Sequence, residues 1–278
     1  MNNTTGWWLV TDGAVDLEYS GNYTSGIRTY SIKSGRAVYC NYYFLDTSID
    51  LPSGGYNLST ANIGIKVVKV NQKLLGSSSA FYTGNTASAV MSFQSSNALP
   101  ATGVVDLTTW LYMGFSEYDW YNLGSYRTPI KTDGFSTIAE LRNAMVSTAY
   151  EYAYWGTAYA EGASGAPGSY IDCSGLIFQC LYSIGINPDL NIIDHALAQY
   201  EYCSTYLAAD SDLGLPVSTA DLVPGDLLFY AHTGAYNVVH VAIYAGNGMI
   251  YDSWPGIGVS YRSMYIGGYS VVKAVRPV

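Results

Sequence analysis

Residues 171–186 read IDCSGLIFQCLYSIGI, and this stretch decides the fold of the C-terminal half. Cys173, Leu176, Ile177, Cys180, Leu181 and Ile184 recur at spacings of three and four. That period predicts a helix burying one apolar face, with Gly185 placed to end it. Asp172 is a natural N-cap. Cys173 then stands at the helix start, where unpaired N–H groups and the positive end of the macrodipole favour a thiolate, the nucleophilic form of cysteine. Small residues beside it and a loop upstream make Cys173 the candidate nucleophile. Cys180, seven residues on, reads as a buried thiol acting as a small hydrophobe.

A nucleophilic thiol needs a base, and residues 237–253, NVVHVAIYAGNGMIYDS, offer one. Val238 to Tyr244 reads as a strand with Val239, Val241 and Ile243 on one face and His240 and Ala242 on the other. A three-residue hairpin loop at residues 245–247 pairs Tyr244 with Gly248 and sets Asp252 opposite His240. Opposed residues have Cβ atoms about 4.5 to 5.5 Å apart, close enough for a carboxylate to orient an imidazole. A two-residue loop at Gly246-Asn247 sets Ser253 opposite instead.

Outward from this centre, Thr137 and Glu140 form a capping box ahead of Ile138, Leu141, Met145, Thr148 and Tyr152 at helical spacing, so a domain is expected over 136–278. Residues 119–135 carry Gly, Pro and turn dipeptides and read as a linker. Residues 56–118 predict three helices. In the first, Val67, Val70 and Leu74 follow Ser59 and Thr60, which can cap, and precede a stop at Gly76. The second lies in NTASAVMSFQSSNAL (85–99), and the third, DLTTWLYMGF (106–115), opens with Asp106 as N-cap. Residues 1–55 read as a β-rich repeat or linker segment. GWWLVTDGAVDLEYSG (6–21) predicts two short strands around Asp12-Gly13, and a weakly alternating stretch ends in the turn LPSGG (51–55).

Composition narrows the function. The 278 residues are 49% hydrophobic and 12% charged, so low charge excludes disorder of the highly charged kind. Lys+Arg is 12 against Asp+Glu 21, a net charge of -9, which offers no basic surface for the phosphate neutralisation nucleic-acid binding needs. No window approaches the roughly 18 to 20 uninterrupted apolar residues of a membrane span. The start, MNNTTGWWLV, lacks the basic and apolar regions of an export signal. Four irregularly spaced cysteines do not make a disulfide scaffold, and three His without CxxC or HExxH give no metal site and imply no cofactor. The 28 Tyr and 6 Trp suit contact with carbohydrate, offering an apolar face with a polar handle.

YAEG (159–162), DCSGL (172–176), LVPGDLLFY (222–230) and HVAIYAGNG (240–248) together resemble the NlpC-type family of papain-like cell-wall cysteine endopeptidases. The resemblance covers about half the chain and implies an α+β domain in which a helix bearing the cysteine packs on an antiparallel sheet. It implies Cys173 as nucleophile, His240 as general base and Asp252 at the imidazole-orienting position, where the family often has His, Asn or Gln. It also implies Tyr159, Asp172 and Ser174 as the pocket for the substrate's amino end, although Gly162-Ala163-Ser164 begins a longer loop than the family's. Thr86, Ala89, Val90, Phe93, Gln94, Leu99, Gly103, Asp106, Thr109 and Trp110 resemble the three-helix peptidoglycan-binding domain, with Asn71 where that family usually has Gln. Residues 6–21 resemble one unit of the GWW-type repeats of Gram-positive cell-wall proteins.

The expectation is a monomeric peptidoglycan hydrolase, secreted to the wall or released as a phage endolysin, that binds stem peptide and glycan. It would cleave the stem peptide between D-isoglutamate and the diamino acid, diaminopimelate or lysine, through a thioester. An amidase or other acyl-transfer enzyme using the same Cys-His pair, or a non-catalytic wall-binding protein, are the alternatives.

Overall fold

The structure, a computed structural model, describes residues 2–3, 6–25, 28–41, 55–60, 62–123, 126–132, 137–186 and 214–278. Strands β1 (Asn2–Asn3) and β2 (Gly6–Trp7) pair first, then β3 (Val10–Thr11) and β4 (Ala14–Val15). The second pair turns at Asp12-Gly13, where φ is 51° and 83°, the conformation an Asp-Gly hairpin demands. A meander of β5 (Gly21–Ser25), β6 (Arg28–Lys33) and β7 (Arg36–Asn41) follows, and its Ile32 and Ala37 pack against Leu215. Most of the LPSGG turn lies outside the described residues.

The three expected helices form as α1 (Ile65–Leu75), α2 (Gly84–Ser96) and α3 (Leu107–Tyr112), and a short fourth, α4 (Glu117–Asn122), follows them. Gly76 ends α1 in the left-handed conformation, as its position predicts. Ser59 and Thr60 do not cap α1. The N-cap is Gly64, because the Asn62 carboxamide ties back to the Ser59 N–H at 2.7 Å and holds that stretch as a turn. Thr83 caps α2 in a box with Thr86, and Asp106 caps α3 through the Thr109 N–H at 2.7 Å. The expected linker at 119–135 begins inside α4: Trp120 is buried and meets Trp110 at 5.6 Å, because an indole of that area has more to gain from the core than from a surface loop.

Of the polar positions in the resembled set, Thr86, Gln94 and Thr109 are internal, as is Asn71, while Asp106 is exposed. Gln94 donates to Val104 O at 2.8 Å and Thr109 Oγ1 at 3.1 Å, and accepts from the Gly103 N–H at 3.0 Å. Asn71 donates to Ser79 O and Phe81 O and accepts from the Thr86 hydroxyl at 2.8 Å. Buried amides must be paired, so these residues hold the unit together.

The C-terminal half runs α5 (Ile138–Tyr154), β8 (Ala158–Tyr159), β9 (Tyr170–Ile171), α6 (Cys173–Tyr182), then β10 (Leu215–Pro216), β11 (Leu227–His232), β12 (Val238–Gly246), β13 (Met249–Trp254), β14 (Gly258–Ser263) and β15 (Tyr269–Arg276). The last six strands form one antiparallel sheet in the order β10-β15-β11-β12-β13-β14. On one face, Leu176, Ile177 and Leu181 of α6 pack with Phe229, Val241 and Ile243. On the other, Leu228, Ala242, Ile250 and Ala274 form a second apolar cluster. Fully burying each such side chain is worth about 1.5–3 kcal/mol, so packing, more than helix propensity, fixes α6 against the sheet. The fold is α+β. Within LVPGDLLFY, the buried Asp226 carboxylate takes two hydrogen bonds from Arg276, both at 2.8 Å, and pins the turn before β11 to β15.

The two halves touch. Ile63, Ile65, Val68 and Ala80 share an apolar cluster with Ala160 and Ala163, and the Ala80 N–H donates to Glu161 O at 3.0 Å.

Candidate active site

Asp172 caps α6 as its sequence position predicts. One carboxylate oxygen accepts from the Gly175 N–H and the Ser174 hydroxyl, both at 2.7 Å, and the other from the Gly162 N–H at 2.9 Å. Burial pushes this carboxyl up, and those three donors pull it back only in part. Cys173 is half-buried at the first position of α6, against the core. Burial, then the neighbouring Asp172 carboxylate, push its thiol up to about 12, while the Val241 and Ser174 N–H groups oppose them. Desolvation and the Asp172 charge thus act against the helix terminus that favours a thiolate.

His240 lies on β12 beside Val241, the residue whose N–H reaches Cys173. It is buried, and its Nε2 is 2.7 Å from Asp252 Oδ2 on β13. Burial raises the Asp252 carboxyl, but the hydrogen bonds from His240 and Arg262 outweigh it and hold the group below the usual carboxylate range. The Trp254 ring meets the imidazole edge-on at 4.7 Å, and Tyr230 from β11 stands at 5.7 Å.

Neither expected register holds. The β12–β13 hairpin turns at Asn247-Gly248, both with positive φ, and pairs Gly246 with Met249 but Tyr244 with Ile250, leaving Ala245 as a bulge. Continued, this register sets His240 opposite Trp254, with Asp252 its diagonal neighbour on the same face. Diagonal partners remain within reach of longer side chains, so the predicted contact forms by another route.

Tyr159 lies on β8 beside Ile171 and lines a cleft of about 570 Å³ with Tyr170, Glu161 and Ile257, closed on the other side by Gln72 and Ser78 of the helical unit. Asp172 and Ser174 bind each other at the α6 cap.

Sequence reasoning missed Arg262, on β14. Its Nε is 3.0 Å from both Asp252 oxygens, and its terminal nitrogen also bonds Oδ2. The signal was available in GVSYRS (258–263): Ser260 pairs with Asp252, so Arg262 lies on the same face one step along.

The structure thus places Cys173 at the start of α6 and the His240–Asp252 pair on the adjoining strands β12 and β13. Compared with known families, residues 151–275 match the NlpC/P60 family model and residues 72–113 the putative peptidoglycan binding domain model. Residues 151–275 thus form an NlpC/P60 domain, with a peptidoglycan-binding-type domain upstream of it. Similar solved structures include NlpC2 from Trichomonas vaginalis, 22% identical over 56% of this chain and 54% of that one, with a TM-score of 0.38. An NlpC/P60 family protein from Bacillus cereus is 24% identical over 49% of this chain and 39% of that one, with a TM-score of 0.38. The NlpC/p60 domain of peptidoglycan hydrolase SagA is 27% identical over 48% of this chain and 97% of that one, with a TM-score of 0.33. The chain spans about half or less of the length of the first two. Comparison with curated proteins gives no match.

Proposed function

We propose that the protein is a cysteine endopeptidase that cuts the peptidoglycan stem peptide between D-isoglutamate and the diamino acid. The observation that carries this reading is the His240 Nε2–Asp252 Oδ2 bond of 2.7 Å, on the strand whose next N–H reaches Cys173. His240 takes the thiol proton as sulfur attacks the D-isoglutamyl carbonyl. Backbone N–H groups at the α6 start stabilise the oxyanion. The C–N bond breaks, the proton passes to the leaving amine, and water hydrolyses the thioester. Tyr159, Asp172 and Ser174 are proposed to border the site on the substrate's amino side. Residues 136–278 act as the catalytic domain and residues 56–118 hold the wall, in a monomer that works outside the cell or as an endolysin.

Digestion of purified muropeptides, with product masses read beside Cys173→Ala, tests this. A free N-terminal diamino acid is expected from the wild type alone. Release of the intact stem peptide from its sugar would make the protein an amidase, and no product at all would make it a binding protein.

A further inference from the structure

Asp252 is an acidic residue with no exposed surface, held against an imidazole that must stay free to accept a proton. A bare carboxylate in that position favours the protonated ring, because an opposite charge nearby stabilises the charged form. A ring already protonated cannot take the proton of Cys173. The structure supplies a counter-charge. Arg262 reaches across from β14 with Nε 3.0 Å from each Asp252 oxygen and a further bond from its terminal nitrogen to Oδ2, a fork-like, charge-assisted grip. Its guanidinium lies 4.4 Å from the centre of the Trp254 ring, the ring that meets His240 edge-on. Ser260 donates more weakly to the other carboxylate oxygen at 3.4 Å.

We infer that Arg262 is a positioning residue that neutralises Asp252, so that the ion pair does for His240 what a neutral amide would do: it accepts the Nε2 proton and fixes the ring without trapping a second proton on it. The inference rests on the reading of Cys173 and His240 as nucleophile and base. Other titratable groups around the site are Tyr230 from β11, whose hydroxyl donates to Met264 O at 3.0 Å, and Cys173 at the α6 start with Asp172 beside it. Arg262 supplies the positive charge of the set. Because Trp254 packs against both Arg262 and His240, the cation also fixes where the ring stands.

A merely structural arginine, tying β13 to β14, predicts loss of stability and an unchanged pH profile. The test is therefore alkylation of Cys173 in the full chain by iodoacetamide, followed from pH 5 to 9 with peptide mass mapping to separate Cys173 from the other thiols. It needs no wall substrate. Arg262→Ala is expected to slow modification about tenfold near neutral pH and move the acid limb of the profile to higher pH. Arg262→Lys, keeping the charge without the fork, should fall between. The double variant Arg262→Ala/Asp252→Asn should recover most of the rate, since an amide needs no counter-charge. An Arg262→Ala protein with a wild-type melting curve and unchanged profile would overturn the inference, as would a folded double variant no faster than Arg262→Ala. Muropeptide turnover is scored separately: if the alkylation pattern holds while no peptide is cut, the functional proposal fails and the role of Arg262 stands.

Discussion

The Gln72 carboxamide meets the Tyr170 hydroxyl at 2.8 Å through its nitrogen and 3.1 Å through its oxygen, joining the helical unit to the strand that leads into Cys173. This bond is exposed and worth little by itself. Beneath it, Ile65 is buried in the shared apolar cluster, and its side chain approaches Gly165 so closely that a Cβ there would stand 3.0 Å from Ile65 Cδ1.

Ile65→Asp should therefore uncouple the two halves. A carboxylate at that contact has no partner in the apolar cluster and is expected to cost several kcal/mol. Calorimetry should give one main transition for the pair of units in the wild type and two in the variant. A single transition at an unchanged temperature in both would show that the contact carries no coupling.

Cys173→Ala is expected to keep the fold, since the site loses only a sulfur at a helix start, and to abolish turnover. His240→Ala should lower kcat by about 10²–10⁴-fold, the ordinary worth of a general base. Burial pushes the Cys173 thiol up, so the loss is expected across the neutral range. Turnover by a folded His240→Ala protein at the wild-type rate would remove the residue from the mechanism.

Lys66 is buried, its ammonium without a hydrogen-bond partner, 4.2 Å from the Tyr56 ring centre and 5.2 Å from that of Trp120. Burial lowers it from 10.5 to about 8. The unfolded chain thus binds this proton more tightly, and the linkage penalty is full below about pH 8 and relieved as pH rises towards 10.5. A difference of that size is worth up to about 3 kcal/mol, less the cation–π contacts that are lost with the charge. Lys66→Met should raise the urea midpoint at pH 7, and the advantage should shrink by pH 10. An advantage equal at both pH values would contradict the buried-ammonium account.

Asn71→Gln restores the residue more common in the resembled domain and should still do harm. The longer amide overfills a site that joins Ser79 O, Phe81 O and Thr86 in one network. A loss of about 1–3 kcal/mol is expected, with no gain in retention on purified peptidoglycan. Tighter retention would give position 71 a role in binding.

What could be read from the chain was what short-range chemistry decides. The 3.6-residue period from Cys173 to Ile184, the Asp172 cap and the Thr137–Glu140 box each depend on neighbours within one helical turn. The sharing of one strand face by His240 and Ala242 is equally local. Arg262 needed the register of a further strand pairing, β13 with β14. The state of the Cys173 thiol depended on burial, which the helix start does not encode. The inward turn of Asn71, Thr86 and Gln94 was hidden because a polar residue that braces a core and one that meets a sugar look alike in a sequence.

Ala245, the extra residue between Tyr244 and Gly246, acts on the sheet as a phase shift. Were Ala245 paired with Ile250 instead of bulged, the ladder that starts at Gly246–Met249 would run on unbroken and pair His240 with Pro255 and Ile243 with Asp252. The carboxylate would then lie on the reverse side, in the apolar layer beneath α6, and Ser253 would share the imidazole's side. Odd and even positions of β13 exchange roles with every single-residue slip, so the acid–imidazole couple is an arithmetic property of the hairpin as much as a chemical one. Tolerance to length change in residues 244–249 should accordingly alternate, with paired insertions preserving the match of sides and single ones inverting it.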